Sequence, residues 1–230
     1  MDNIITVSNL SKSYGKKLVF DKISFSIPRN RIIGLFGDNG IGKTTILRLL
    51  ADIIKPDSGE ILISGQKVSR KTRDEVSFLL EPINFYSFMK VKDAVQYYRD
   101  FFKNFDYEKA LRLCQIFEMD LSLPITKLSQ GNKERLCLLL NISRKVPLYL
   151  LDEPIGGFDP KFKRDLIKTI LSNLDENVTM IISTHLLRDM ESIFDEILIL
   201  KKNEIVQATS EDIRSTGISI EEYYLEVVER

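Results

Sequence analysis

Apolar positions along this chain follow two rhythms, and the rhythm changes several times. Residues 4–10 and 24–27 read as early strands near a sheet edge. Arg31-Ile32-Ile33-Gly34-Leu35-Phe36 reads as a buried strand. A glycine-rich loop follows, then a helix over about 43–51. Lys55-Pro56-Asp57-Ser58-Gly59 is a turn, 60–63 a strand, and Ser64-Gly65-Gln66 a second turn. Residues 76–80 form another strand. From 91 to 145 the strand pattern disappears. Val95, Tyr98, Phe101 and Phe102, then Leu111, Cys114 and Phe117, recur there at helical spacing. Strand pattern resumes at 148–151, 178–182 and 197–200. This alternation predicts an α/β fold, a mainly parallel sheet with helices on both faces. The stretch at about 90–145 reads as a helical insertion in a single domain, whose core comprises about 1–89 and 146–230.

Composition narrows the setting. A chain of 230 residues suits one large domain, or one core with an inserted subdomain, and buries a substantial core without staples. Thirty-three basic and 33 acidic residues give a formal net charge of zero, so no global basic field points to nucleic acid or an anionic membrane surface. Cys114 and Cys137 lie in apolar, helix-like stretches and read as small core residues in a reducing compartment. The amino-terminal residues show no basic region and no small-residue cleavage site, so no signal peptide is expected there. No apolar run approaches the roughly 20 residues that span a bilayer, so a membrane role is expected to run through a partner.

Two motifs carry candidate chemistry. The loop after the 31–36 strand is Gly37-Asp38-Asn39-Gly40-Ile41-Gly42-Lys43-Thr44-Thr45, which fits the P-loop pattern of glycine, four residues, then Gly-Lys-Thr. Glycines let backbone N–H groups wrap a polyphosphate, and the helix that follows points its positive end at the same anion. Lys43 is placed to reach the β- and γ-phosphates, and Thr44 to offer its hydroxyl to Mg²⁺. The second motif is Leu148-Tyr149-Leu150-Leu151-Asp152-Glu153, a buried strand ending in two carboxylates. Asp152 is placed to hold Mg²⁺, and Glu153 to accept a proton from an attacking water. A nucleotide kinase has no need of that second carboxylate.

A third motif decides the class. Leu128-Ser129-Gln130-Gly131-Asn132-Lys133-Glu134-Arg135 precedes an apolar helix and resembles the signature loop of the ABC ATPases, with Gln130 in place of a glycine and Asn132 in place of a glutamine. The resemblance implies a P-loop NTPase, RecA-like core with an antiparallel β-edge and an inserted helical subdomain. It implies ATP and Mg²⁺ as ligands. It implies further that Ser129, Gly131 and Asn132 face the γ-phosphate bound by a second ATPase domain, on the same or a homologous chain. Tyr14 stands where the family places an aromatic ring against adenine, Asp159 where it places the D-loop aspartate, and His185 where it places the switch histidine. Glu81 stands where the family usually has glutamine; it still approaches the metal or the attacking water but adds a charge. The implied catalytic set is Lys43, Glu153 and His185, and the implied metal set is Thr44, Glu81 and Asp152.

Among ABC proteins, three features favour an exporter subunit at the cytoplasmic face of the cell membrane, driving an integral-membrane subunit on a separate chain. The apolar and aromatic stretch Pro82-Ile83-Asn84-Phe85-Tyr86-Ser87-Phe88-Met89 resembles the groove that receives the membrane subunit's coupling helix. The chain is expected to lack the regulatory domain that follows many importer ATPases, and residues 219–226 resemble a short terminal helix of exporters. The helical stretch 97–107 and Pro154-Ile155-Gly156-Gly157-Phe158 are similar to the bacterial subgroup that exports antimicrobial or cytolytic peptides. Two other classes stay open: a soluble ABC ATPase driving an assembly such as iron–sulfur scaffold delivery, and a non-hydrolysing nucleotide-gated module. Glu153 argues against the second.

Overall fold

The computed structural model describes residues 2–79, 85–154, 167–169, 172, 177–184, 190–202 and 204–229. The chain opens with two long strands, β1 (Asn3–Tyr14) and β2 (Lys17–Pro28). Tyr14 pairs with Lys17 across a tight turn, where Gly15 takes a φ of +57°, the left-handed conformation such turns need. β1 also pairs with β4 (Ser58–Ile63), and β4 with β5 (Gln66–Lys67). The result is a four-stranded antiparallel sheet of order β2-β1-β4-β5. The hairpin strands are longer than their apolar stretches because exposed polar residues occupy one face.

A second sheet has six strands in the order β10-β9-β3-β8-β7-β6. Its strands are β3 (Ile32–Phe36), β6 (Val76–Leu79), β7 (Leu148–Asp152), β8 (Thr179–Ser183), β9 (Glu196–Lys201) and β10 (Glu204–Thr209). The central strands run parallel, and β10 returns antiparallel at the edge. β10 carries no clear strand pattern because an edge strand, half wet on both faces, tolerates mixed polarity. β5 is two residues long and overlaps the turn at Ser64-Gly65-Gln66.

Along each central strand, side chains alternate between two cores. Ile33, Leu35, Leu148, Leu150, Ile181, Leu198 and Leu200 join the four-stranded sheet and α1 (Lys43–Leu50) in one. Phe36, Tyr149, Leu151, Met180, Ile182, Ile197 and Ile199 join the remaining helices in the other. Burial on both faces is why these strands read as continuous apolar runs rather than as alternating ones.

Residues 91–145 contain three α-helices, α2 (Val91–Phe101), α3 (Tyr107–Ile116) and α4 (Gln130–Ile142), a short 3-10 turn at Ile125–Lys127, and no multi-residue strand. The helical stretch expected at 97–107 is broken. α2 stops at Phe101, Phe102 takes extended angles, and Asp106 caps α3 by accepting a hydrogen bond from the Lys109 N–H at 2.9 Å. Arg144 holds the break in place: its guanidinium lies 4.2 Å from the centre of the Phe102 ring and donates to the Val76 carbonyl at 2.7 Å. α4 docks on β6 through the buried Ser77 hydroxyl, which donates to the Asn141 carbonyl at 2.9 Å. Cys114 and Cys137 are buried thiols, and neither forms a disulfide. The last described helices are α5 (Ser210–Ser215) and α6 (Ile220–Glu229).

Candidate active site

The carboxyl ends of β3, β8 and β7 lie side by side, the usual place for a ligand site in an open α/β sheet. β3 runs into Gly37, and the loop turns through a hydrogen bond from the Ile41 N–H to the Asp38 carbonyl at 3.2 Å. Gly42, at φ +123°, caps α1, so the loop feeds straight into a helix amino terminus. Three glycines of the loop hold positive φ, for distinct reasons. A Cβ on Gly37 would sit 2.7 Å from the Leu200 carbonyl oxygen, and one on Gly42 2.6 Å from the Phe20 ring. A Cβ on Gly40 would meet nothing and would project from the loop.

Lys43 lies across the loop. Its ammonium donates to the Gly37 carbonyl at 2.6 Å and to the Asp38 carbonyl at 3.3 Å. The next residue, Thr44, donates its hydroxyl to Asp152 Oδ2 at 2.7 Å, joining the first turn of α1 to the tip of β7. The other oxygen of Asp152 accepts from the Ser183 hydroxyl, at the tip of β8. The Ser183 hydroxyl oxygen in turn accepts from the Glu153 N–H at 3.0 Å. At Glu153 the backbone turns to φ +46°, a left-handed conformation unusual for glutamate, and the chain leaves the strand. Adjacent carboxylates at this strand tip therefore sit on differently directed backbone.

Asn39, Gly40, Gly42, Lys43, Thr44, Thr45, Asp152 and Glu153 line one concavity of about 220 Å³. The donor set at its floor, a hydroxyl and a carboxylate 2.7 Å apart, consists of hard oxygens and suits Mg²⁺. A hydroxyl has one proton and two lone pairs, so Thr44 can donate to Asp152 and still offer oxygen to a cation. Among the described residues no group of three or more His, Cys, Asp or Glu could hold a metal by itself. Mg²⁺ therefore fits the site with ligands beyond these two, such as substrate phosphates or water.

Tyr14 ends β1 and is 47% exposed. The Lys12 ammonium lies 5.7 Å from the centre of that ring, and Asp57 holds Lys12 at 3.0 Å. Ser129 caps α4, its hydroxyl accepting from the Asn132 N–H at 3.2 Å. Ser129, Gly131 and Asn132 are not among the residues lining the phosphate-loop concavity. Glu81, Asp159 and His185 lie outside the described residues. Sequence reasoning missed Ser183 as a site residue. Its only signal is a hydroxyl at the end of an apolar strand, and that becomes informative once β8 is known to pair with β7.

A glycine loop opening a helix whose first hydroxyl bonds a carboxylate at the tip of a strand two places away in the sheet defines a P-loop nucleotide-binding protein. The family model for ABC transporters matches residues 20–156. The chain is 34% identical over 210 residues to an ABC transporter ATP-binding protein of Methanocaldococcus jannaschii, covering 88% of this chain and 76% of that one. It is 27% identical over 207 residues to the lantibiotic transport ATP-binding protein SrtF of Streptococcus pyogenes, covering 88% and 89%. A solved ATP-binding subunit of an ABC transporter superposes with a TM-score of 0.86 at 24% identity, over 97% of this chain and 98% of that one, and so shares its fold. The chain belongs to the ABC transporter family as an ATP-binding subunit, and the family's ATP-binding domains are ATPases. No helix among the described residues is long and apolar enough to cross a membrane.

Proposed function

We propose that the concavity binds and hydrolyses MgATP to power a separate transmembrane subunit that exports its cargo. The observation that carries the reading is the unbroken run of contacts from Thr44 through Asp152 and Ser183 to the Glu153 N–H. It joins the phosphate loop to the two carboxylates across a strand that separates them in the sheet.

The loop amides from Gly37 to Thr45 cradle the phosphates, and Lys43 exchanges two carbonyl acceptors for the β- and γ-phosphate oxygens. Thr44 and Asp152, with Glu81, would hold Mg²⁺, which when bound neutralises phosphate charge. Glu153 takes the proton of the attacking water, while Ser183 fixes both the Asp152 carboxylate and the backbone of Glu153. Tyr14 stacks on adenine, with Lys12 tethered beside its ring. His185 approaches the γ-phosphate. Asp159, Ser129, Gly131 and Asn132 serve the interface with a second ATPase domain, forming a head-to-tail sandwich. Each domain, with its helical segment at about 90–145 inserted in the core, carries the phosphate loop for one composite site and Ser129 for the other.

Two features support the membrane partner and the direction. Tyr86 and Phe88 are 64% and 77% exposed and stack with ring centres 5.4 Å apart, a surface suited to an apolar helix. Among the relatives is a protein named for lantibiotic transport.

Glu153→Gln and Lys43→Ala test the assignment together. Glu153→Gln is expected to keep ATP binding and lose about 10²–10⁴-fold in single-turnover hydrolysis. Lys43→Ala is expected to lose nucleotide affinity or turnover while remaining folded. Parental hydrolysis by both variants would rule out this site.

A further inference from the structure

The turn that follows α1 is fastened to the tip of the first hairpin, where Tyr14 stands. Pairing between β1 and β4 stops at Ser11, which faces Ser58. Beyond that rung, on the same edge, Asp57 takes over from the strand. The Asp57 N–H donates to the Ser11 carbonyl at 2.9 Å. Its carboxylate then reaches forward with both oxygens. Oδ2 accepts from the Ser13 N–H at 2.7 Å, and Oδ1 from the Lys12 ammonium at 3.0 Å. The same ammonium donates to the Lys55 carbonyl at 2.7 Å and lies 5.7 Å from the centre of the Tyr14 ring. Only 14% of the Lys12 side chain is exposed, so this lysine is a fixture of the tip rather than a freely moving surface cation. Within its own hairpin Tyr14 pairs with Lys17 around the turn, the place where a hairpin frays first. Asp57 thus grips both the backbone just before Tyr14 and the cation beside its ring.

The same turn continues α1. The Ile53 N–H donates to the Arg48 carbonyl at 2.9 Å, folding the chain back on the last turn of the helix, and the buried Asp52 carboxylate accepts from Arg73 at 3.1 Å. α1 starts at the phosphate loop with Lys43 and ends at Leu50, and its eight residues make a rod about 12 Å long. We propose that Asp57 is a positioning residue for the adenine platform: it ties Tyr14 to the helix that carries the phosphate loop, so that base and phosphates meet surfaces of one rigid unit. The inference rests on reading Tyr14 as the ring that stacks on adenine. It places part of the affinity for the base in a carboxylate that binds backbone and lysine rather than the nucleotide.

The test measures binding of ADP and of pyrophosphate, each with Mg²⁺, to the full chain by titration calorimetry, together with the melting temperature. ATP hydrolysis consumes neither ligand, and pyrophosphate reports the phosphate loop without a base. Asp57→Ala is expected to weaken ADP binding about twofold to tenfold, the scale of one hydrogen bond, and to leave pyrophosphate affinity at the parent's. Asp57→Asn keeps an acceptor for the Ser13 N–H and loses the charge facing Lys12. It is expected to weaken ADP selectively but by less, and it carries the test if alanine unfolds the turn. In a Tyr14→Ala background Asp57→Ala is expected to add no further loss, because the ring it positions is already gone. Equal losses for ADP and pyrophosphate would overturn the proposal. So would ADP affinity unaltered in both Asp57 variants, or a loss that persists undiminished without the Tyr14 ring. Tyr14→Ala alone isolates the underlying reading. Parental ADP affinity in that variant removes the adenine platform itself, whereas a weakened Tyr14→Ala beside an unaltered Asp57→Ala removes only the role of Asp57.

Discussion

Gly40 and Gly42 stand two residues apart in one loop and need glycine for different reasons. Gly40, at φ +78°, faces open space, so alanine there carries only the cost of a left-handed backbone, about 1 kcal/mol. Gly42, at φ +123°, adds a collision: its Cβ would sit 2.6 Å from Phe20 and 2.8 Å from Val19. Overpacking of that kind adds about 1–3 kcal/mol. Urea denaturation should therefore find Gly42→Ala less stable than Gly40→Ala, and Gly42→Ala should also bind ATP more weakly, since α1 starts there. Equal losses in the two variants would show that the Phe20 side yields without cost. The motif names Gly37 and Gly42 alike and leaves Gly40 among its four unspecified positions. Their separate reasons come from β2 and β9, which packing brings to the loop from distant parts of the chain.

Elements were legible where local physics decides them. α1 follows its glycine loop, and the buried strands β3, β7, β8 and β9 announce themselves as apolar runs. The break between α2 and α3 was not, because it depends on Arg144, forty positions beyond Asn104, bridging Phe102 and the β6 carbonyl at Val76. β10 was not, because an edge strand carries little pattern of its own. Within the site, the loop and the Asp152-Glu153 pair could be read from residue type and order. The Ser183 contacts could not, since they follow from which strand lies next to which. The same holds for the attachment of α4, the helix that starts at Ser129. Ser77 on β6 donates to the Asn141 carbonyl and also lies 3.2 Å from Asn141 Oδ1. Ser77→Ala leaves these buried acceptors without that donor and should destabilise the protein by about 1–3 kcal/mol in urea titration with little change in slope. Hydrogen exchange should place the loss in the amides of α4; uniform loss over the whole chain would contradict a local joint.

At the scale of the whole molecule, the separation of Ser129 from the phosphate-loop concavity argues for two chains per working unit. Each composite site would take Lys43 from one chain and Ser129 from the other. A Lys43 variant mixed with a Ser129 variant should then regain activity through one intact site in the mixed dimer. Full activity from a strictly monomeric protein, with no rescue on mixing, would contradict the sandwich. The six-stranded sheet that carries these residues has a consequence of its own. In a sheet with one wet face, a one-residue slip is punished because it turns the apolar set toward water. Here both faces of the central strands are apolar, and sliding β7 past β8 would merely trade Leu150 and Leu151 between two oily compartments. Alignment must then be written in polar ink. Asp152 stands opposite Ser183 and is bonded to it, and at the other end of β8 the Thr179 hydroxyl accepts from the Asn30 N–H at 2.9 Å. A slip would set Asp152 opposite Ile182 or Thr184 and take the Ser183 hydroxyl from one of its two oxygens. The group proposed to serve the metal thus also tells neighbouring strands where to stop, and a substitution that spoils the chemistry erases an alignment mark as well.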